Sequence, residues 1–164
     1  MTFLIDGYNL MHAVGLMNRK MAAPHFERAR VRFHDWLADG VKGRAVGVRV
    51  VFDAQDAPAP SLETVHRGVR VRFAFQQTAD DMIESLVAVE PKPRALAVVS
   101  NDGRIREAAR RAGCADLSCE EFTDWLISAD PLPGEKPPPP PDKPEAGADD
   151  VAELLGVFSR PKKV

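Results

Sequence analysis

Apolar residues along this chain fall into short unbroken runs separated by longer amphipathic stretches. Four runs predict strands: Thr2 to Ile5, Val46 to Phe52, Val69 to Phe75 and Ala95 to Val99, with a weaker fifth at 115–117. Ala95 to Val99 is continuously apolar, as in a strand covered on both faces. Val69 to Phe75 places apolar side chains at 69, 71, 73 and 75 with Arg70 and Arg72 between them. That alternation predicts one wet face, as on an edge strand. The intervening stretches have helical spacing. Residues 25–39 set Phe26, Ala29, Val31, Phe33, Trp36 and Leu37 among charges, and 79–89 align Met82, Ile83, Leu86 and Val87. The pattern from Gly103 to Ala112 stops at Gly113, and Ser118 with Glu121 forms a capping box for a last helix through Phe122, Trp125 and Leu126. Strands alternating with helices predict an α/β fold: a three-layer sandwich with a mostly parallel central sheet flanked by helices.

Proline marks where that pattern ends. Nine of the 14 prolines lie at or after Pro131, including the run Pro137 to Pro141, which favours extended polyproline II over packed structure. The expected organisation is a folded domain at 1–130, a proline-rich linker at 131–148 and a short amphipathic segment at 149–164. In that segment Asp149 and Asp150 precede Val151, Leu154, Leu155 and Phe158, the spacing of one helix face. Such a helix, 149–158, either folds back on its own domain or frays, or else docks a protein partner. With 164 residues the chain has room for one core and a tail.

Charge and cysteine content narrow the class. A net charge of -2 excludes a polycation that coats nucleic acid, so any such contact needs a local basic patch. There is no run of 18 apolar residues, and Asp6 interrupts the N-terminal apolar stretch, so neither a membrane span nor a signal peptide is expected. Two cysteines are too few for a disulfide scaffold, and a reducing cytoplasm is the expected setting.

The candidate chemistry lies in acids at strand ends. Asp6 follows the first run, Asp53 follows Val50-Val51-Phe52, and Asp102 lies just past Val99. Carboxyl ends of parallel strands share one edge, where ligands bind in open α/β sheets. Asp80 opens the helix after the third strand. Thr78 and Asp81 make a cap pair, which leaves Asp80 the freer acid, and Glu84 reads as a solvated helix acid. Asn9 either supplies an amide to the same crevice or shapes a turn. Two carboxylates about 5 Å apart repel by roughly 3 kcal/mol at an effective dielectric near 20. Raised pKa values, arginines or a divalent cation must offset that, and oxygen-only ligands point to Mg²⁺ or Mn²⁺ and to phosphoryl chemistry.

The stretch Phe3-Leu4-Ile5-Asp6-Gly7-Tyr8-Asn9-Leu10-Met11-His12 resembles the opening of YacP-like NYN-domain proteins. Val51-Phe52-Asp53-Ala54, Thr78-Ala79-Asp80-Asp81-Met82-Ile83-Glu84 and Val98-Val99-Ser100-Asn101-Asp102 follow in that family's order. The resemblance covers about 1–128 and implies a PIN-like, Mg²⁺- or Mn²⁺-dependent endoribonuclease, with messenger RNA at the ribosome as a candidate substrate. It implies Asp6, Asp53, Asp80 and Asp102 as catalytic metal ligands and Asn9 as a catalytic amide. Many NYN proteins carry a further aspartate where this chain has Arg104, which removes one ligand and argues against a two-metal site.

Arg19, Lys20, Arg104 and Arg106 are the candidate RNA-backbone contacts, each equally readable as a solvated surface charge. Tyr8 reads as a buried aromatic in preference to a base-stacking one, and His12 and His25 as structural or surface residues. A receiver-type phosphoacceptor would need an acidic pair at the first strand and a late lysine. A haloacid-dehalogenase-like phosphatase would need an aspartate where Tyr8 stands, and G-x-G-x-x-G is absent. The competing reading is a non-catalytic RNA- or ribosome-binding module that retains the acids.

Overall fold

Strand β1, Thr2–Asp6, lies at the centre of the sheet, with Phe3, Leu4 and Ile5 fully buried. The structure, a computed structural model, describes residues 1–18, 20–53 and 63–128. The remaining elements are α1 (Gly7–Ala13), α2 (Ala23–Gly40), β2 (Gly47–Asp53), β3 (Thr64–His66), β4 (Val69–Ala74), α3 (Ala79–Ala88), β5 (Leu96–Val99), α4 (Gly103–Ala112), β6 (Ala115–Leu117) and α5 (Cys119–Ile127). The six strands order as β3-β4-β2-β1-β5-β6, parallel except for the β3–β4 pair. This is the α/β sandwich that the alternating pattern predicts. The chain divides into units Met1–Asp130 and Pro131–Val164. The linker at 131–148 and the helix expected at 149–158 lie outside the described residues. Among the described residues no helix is long and apolar enough to cross a membrane.

Side-chain parity sorts the core into two layers, because alternate strand residues face opposite sides. Leu4, Val51, Val98 and Ala74 meet Met82, Ile83 and Val87 of α3 and Ile105 and Ala109 of α4. The other layer is aromatic. Phe3 packs on Phe122 and Trp125 at ring-centroid distances of 5.0 and 4.7 Å, while Phe52 meets Tyr8 at 4.9 Å and Phe73 at 5.5 Å. Tyr8 thus packs within this layer, and Arg30 donates to its hydroxyl at 3.2 Å.

Three local readings need correction. The strand at 69–75 is not the edge, because β3 pairs antiparallel outside it. Its hairpin turns through Arg67 (φ 48°) and Gly68 (φ 89°), the positive-φ pair of a tight two-residue turn. Arg67 is held in that conformation by Asp35 at 3.2 Å and Asp39 at 2.6 Å on α2. A strand of three residues joined by Arg-Gly carries too little pattern to be read beforehand. Residues 7–13, not assigned to a helix from the sequence, form α1, capped by the Asp6 side chain. Finally, Glu84 is not simply solvated: Arg104 Nε lies 2.8 Å from it.

Gly7 shows why the first turn of α1 must be narrow. A Cβ there would stand 2.3 to 2.8 Å from three ring atoms of the fully buried Phe52. In an open helix, Gly→Ala is favourable by about 1 kcal/mol. Here overpacking reverses the sign, and Gly7→Ala is expected to destabilise the chain by about 1–3 kcal/mol in urea unfolding. A stabilised variant would show that the ring moves aside freely.

Candidate active site

The strand register carries Asp6 and Asp53 to one edge of the sheet. Asp6 is level with Val51 of β2, and Ile5 with Val99 of β5, so the carboxyl ends of the three strands lie side by side. Asp53 is two residues beyond Val51 and therefore on the same sheet face as Asp6, the face covered by α3 and α4. Asp80 sits in the first turn of α3, and Asp102 is the N-cap of α4. Asp6 and Asp53 are the last residues of their strands, each of which ends one residue later than its apolar run. The chain crosses from one side of β1 to the other between β4 and β5, so the crevice lies at the topological switch point.

Asp6 is 7% exposed. Its Oδ1 accepts the Asn9 backbone N–H at 3.3 Å and its Oδ2 the Ser100 hydroxyl at 3.4 Å. The same Ser100 oxygen accepts the Asp102 N–H at 3.0 Å, so one fully buried hydroxyl ties two acids together. Burial pushes the Asp6 carboxyl up to about 6, with the nearby charges of Asp80 and Asp102 adding to it against the hydrogen bonds from Asn9 and Ser100. Asp80 is raised as well, first by burial and then by Asp102. Asp102 accepts N–H bonds from Arg104 at 2.8 Å and Ile105 at 3.4 Å. Sequence reasoning missed Ser100, although its place between Val99 and Asp102 was the available signal.

Asn9 is held by a second network. Its Oδ1 accepts the Asn101 backbone N–H at 2.8 Å and the Cys119 thiol at 3.3 Å. A backbone N–H can only donate, so this contact assigns the amide oxygen and turns the NH₂ the other way. Asn101 Oδ1 in turn accepts the Cys119 N–H at 2.7 Å, and its NH₂ donates to Glu120 at 3.0 Å. Burial pushes the Cys119 thiol up to about 12, which keeps it a donor.

The predicted basic contacts fare differently. Arg104 is bound to Asp81 and Glu84, each at 2.8 Å, and clamps α3 to α4. Arg106 lies 2.8 Å from Asp116 and 3.8 Å from Glu121. Lys20 is exposed, its backbone N–H donating to Asn18, and Arg19 lies outside the described residues. His12 and His25 are both exposed. No salt bridge reaches Asp6, Asp53, Asp80 or Asp102 among the described residues. Nor do three His, Cys, Asp or Glu side chains there form a ready-made ligand set. The crevice offers carboxylate oxygens with no described protein cation paired to them.

A family model described as YacP-like NYN domain matches residues 3–130. Two similar solved structures are both of Rae1 (YacP) from Bacillus subtilis. One is 27% identical with a TM-score of 0.62, covering 77% of this chain and 73% of that one. The other, a single-substitution mutant of the same protein, is 28% identical with a TM-score of 0.61, covering 76% and 74%. A comparison with curated proteins finds no match.

The position of Asp6 has a consequence for stability. Its proton is held more tightly in the folded chain than in the unfolded one, so stability falls as pH rises from 3.8 to about 6. Above that the full cost, about 3 kcal/mol, is present. In EDTA, Asp6→Asn is therefore expected to unfold at higher urea than the native chain at pH 8, by about 1–3 kcal/mol. The difference should vanish below pH 4, and a variant no more stable at pH 8 would refute this account.

Proposed function

The chain belongs to the YacP-like NYN family of PIN-like nuclease domains, and we propose that it is an endoribonuclease dependent on Mg²⁺ or Mn²⁺. The observation that carries the reading is the Asp6 carboxylate, raised chiefly by its burial and then by Asp80 and Asp102, and paired with no described protein cation. Oxygen donors of this kind suit a hard ion that keeps much of its water and takes one or two carboxylates directly. Asp6 and Asp102 are the direct holders in this reading, with Asp53 and Asp80 acting directly or through water. Bound there, such an ion supplies positive charge for the developing phosphorane and lowers the pKa of water.

The chain's own groups do the positioning. Ser100 fixes the relative orientation of Asp6 and Asp102 through its two hydrogen bonds. Asn9, its oxygen already engaged by Asn101 and Cys119, directs its NH₂ toward a non-bridging phosphate oxygen. Water attacks phosphorus in line; the new bond is P–O(water) and the broken one is P–O3′. A carboxylate accepts the water proton, the departing 3′ oxygen takes up a proton from solvent to become a hydroxyl, and the other product is a 5′-phosphate. RNA is the substrate class, with messenger RNA on translating ribosomes as the particular form proposed.

The absence of a ready-made three-acid ligand set among the described residues favours one other reading, an RNA- or ribosome-binding module without turnover. Cleavage of labelled RNA, free and on translating ribosomes, separates the two. Asp6→Asn is expected to lose at least a hundredfold in Mn²⁺-dependent cleavage, on the order of the 2.7 kcal/mol given by the loss of one essential charge interaction. Cleavage at the native rate by this folded variant would sink the nuclease assignment. Independently, Mg²⁺ or Mn²⁺ at a hundred times Kd should stabilise the native chain by about 2.7 kcal/mol in thermal unfolding. No cation-dependent shift would favour the binding module.

A further inference from the structure

We propose that Arg49, Arg70 and Arg72 form a phosphate track on the open outer part of the sheet, along which an RNA strand runs to the aspartate crevice. The proposal rests on the nuclease reading for the identity of its polyanion. The register places the three together. Arg49 of β2 pairs with Arg70 of β4, and Arg72 pairs with Val51. Leu4 and Val51, which lie under α3 and α4, occupy the same sheet face. Arg70 and Arg72 are two residues apart on one strand, about 7 Å. The next step along that face reaches Ala74, which is paired with Asp53. The arginines therefore lead up the sheet to the candidate active site.

This part of the face is open. Val65, the β3 partner of Arg70, is 66% exposed, and the Arg70 side chain is 60% exposed. Arg49 and Arg72 are half-buried. Their guanidiniums differ from those that the fold uses as clamps. Arg67, Arg104, Arg106 and Arg110 are each tied to carboxylates, and Arg44 donates to the carbonyls ending α5. Among the described residues Arg49 and Arg72 have no hydrogen bond or ion pair, and Arg70 has only Glu63 at 3.9 Å. Two like charges directly opposite on neighbouring strands destabilise a sheet. A polyanion laid across them relieves that repulsion, and guanidinium forks match phosphate oxygens in pairs. The exposed Val65 gives a ribose or base an apolar surface beside the track.

The test measures binding of a fluorescein-labelled single-stranded RNA to the full chain by anisotropy, in EDTA so that nothing is cut. Replacing all three by glutamine (Arg49→Gln, Arg70→Gln and Arg72→Gln) is expected to weaken binding on the order of tenfold at low salt and to reduce the slope of log K against log salt by about 2. Replacing all three by lysine should restore most of both. Should the triple variant fold poorly, Arg70→Gln alone, at an exposed position, should weaken binding about two- to fourfold and reduce the slope by about 0.7. Unchanged affinity and slope, or no RNA binding by the native chain, would overturn the track. So would binding of polyglutamate with the same arginine dependence, which would mark an acidic protein face instead. Cleavage in Mn²⁺ is scored separately. RNA that is bound through the arginines but never cut sinks the nuclease reading alone, whereas RNA that is cut while binding ignores the arginines sinks the track alone.

Discussion

A carboxylate withdrawn from water, with like charges nearby, sets the terms for the acidic edge of this protein. Asp6 ends the central strand, level with Val51 of β2 and one residue past the last pair with β5, and its side chain is almost wholly withdrawn from water. Asp80 and Asp102 raise its pKa further, and neither arginine at the start of α4 relieves it, because Arg104 and Arg106 are engaged elsewhere. Ionisation costs the fold a substantial part of the 5–15 kcal/mol typical of a domain's total stability. Two hydrogen bonds to Asp6 offset some of that cost, and the rest must come from packing.

That packing is asymmetric. Beneath the sheet a nearly continuous aromatic layer, from Tyr8 and Phe52 to Phe3, Phe122 and Trp125, anchors α1, α2 and α5. Above it α3 and α4 supply aliphatic side chains only as far as the carboxyl edge. Past that edge polar groups take over, with Ser100 and Asn101 bonding to both neighbours. The Gly7 turn joins the layers. It lets α1 begin against the Phe52 ring while the preceding residue presents its carboxylate to the opposite face. Strain at the acidic edge is thus supported by a rigid apolar base, a common arrangement where a site needs unfavourable electrostatics.

Charge is also divided by location. Arginines on α4 and in the β3–β4 turn bind acids within the fold and act as clamps. Arg49, Arg70 and Arg72, on β2 and β4, share the face of Leu4 and Val51, with Arg70 exposed and the other two half-buried. A net charge near zero conceals this separation. Composition could exclude bulk attraction to nucleic acid, but it could not distinguish a guanidinium occupied by a neighbour from one available to a ligand.

By itself the sequence determined the α/β alternation, the helix caps at Thr78 and Ser118, the stop at Gly113 and the placing of acids at strand ends, because each depends on residues within one or two turns of one another. The local signal was too weak for β3, with three residues, and for α1, whose helix begins directly where a strand ends. Tertiary structure alone decided which strands are neighbours and in what register. That decision puts Asp6 and Asp53 on one face, threads Ser100 between two acids, turns Asn9 by a backbone N–H 92 residues away, and pairs Arg104 with α3 while leaving Arg49 and Arg72 unpaired among the described residues. Pairing between distant segments is set by the combined burial of all of them, so it is not legible in any one stretch of sequence.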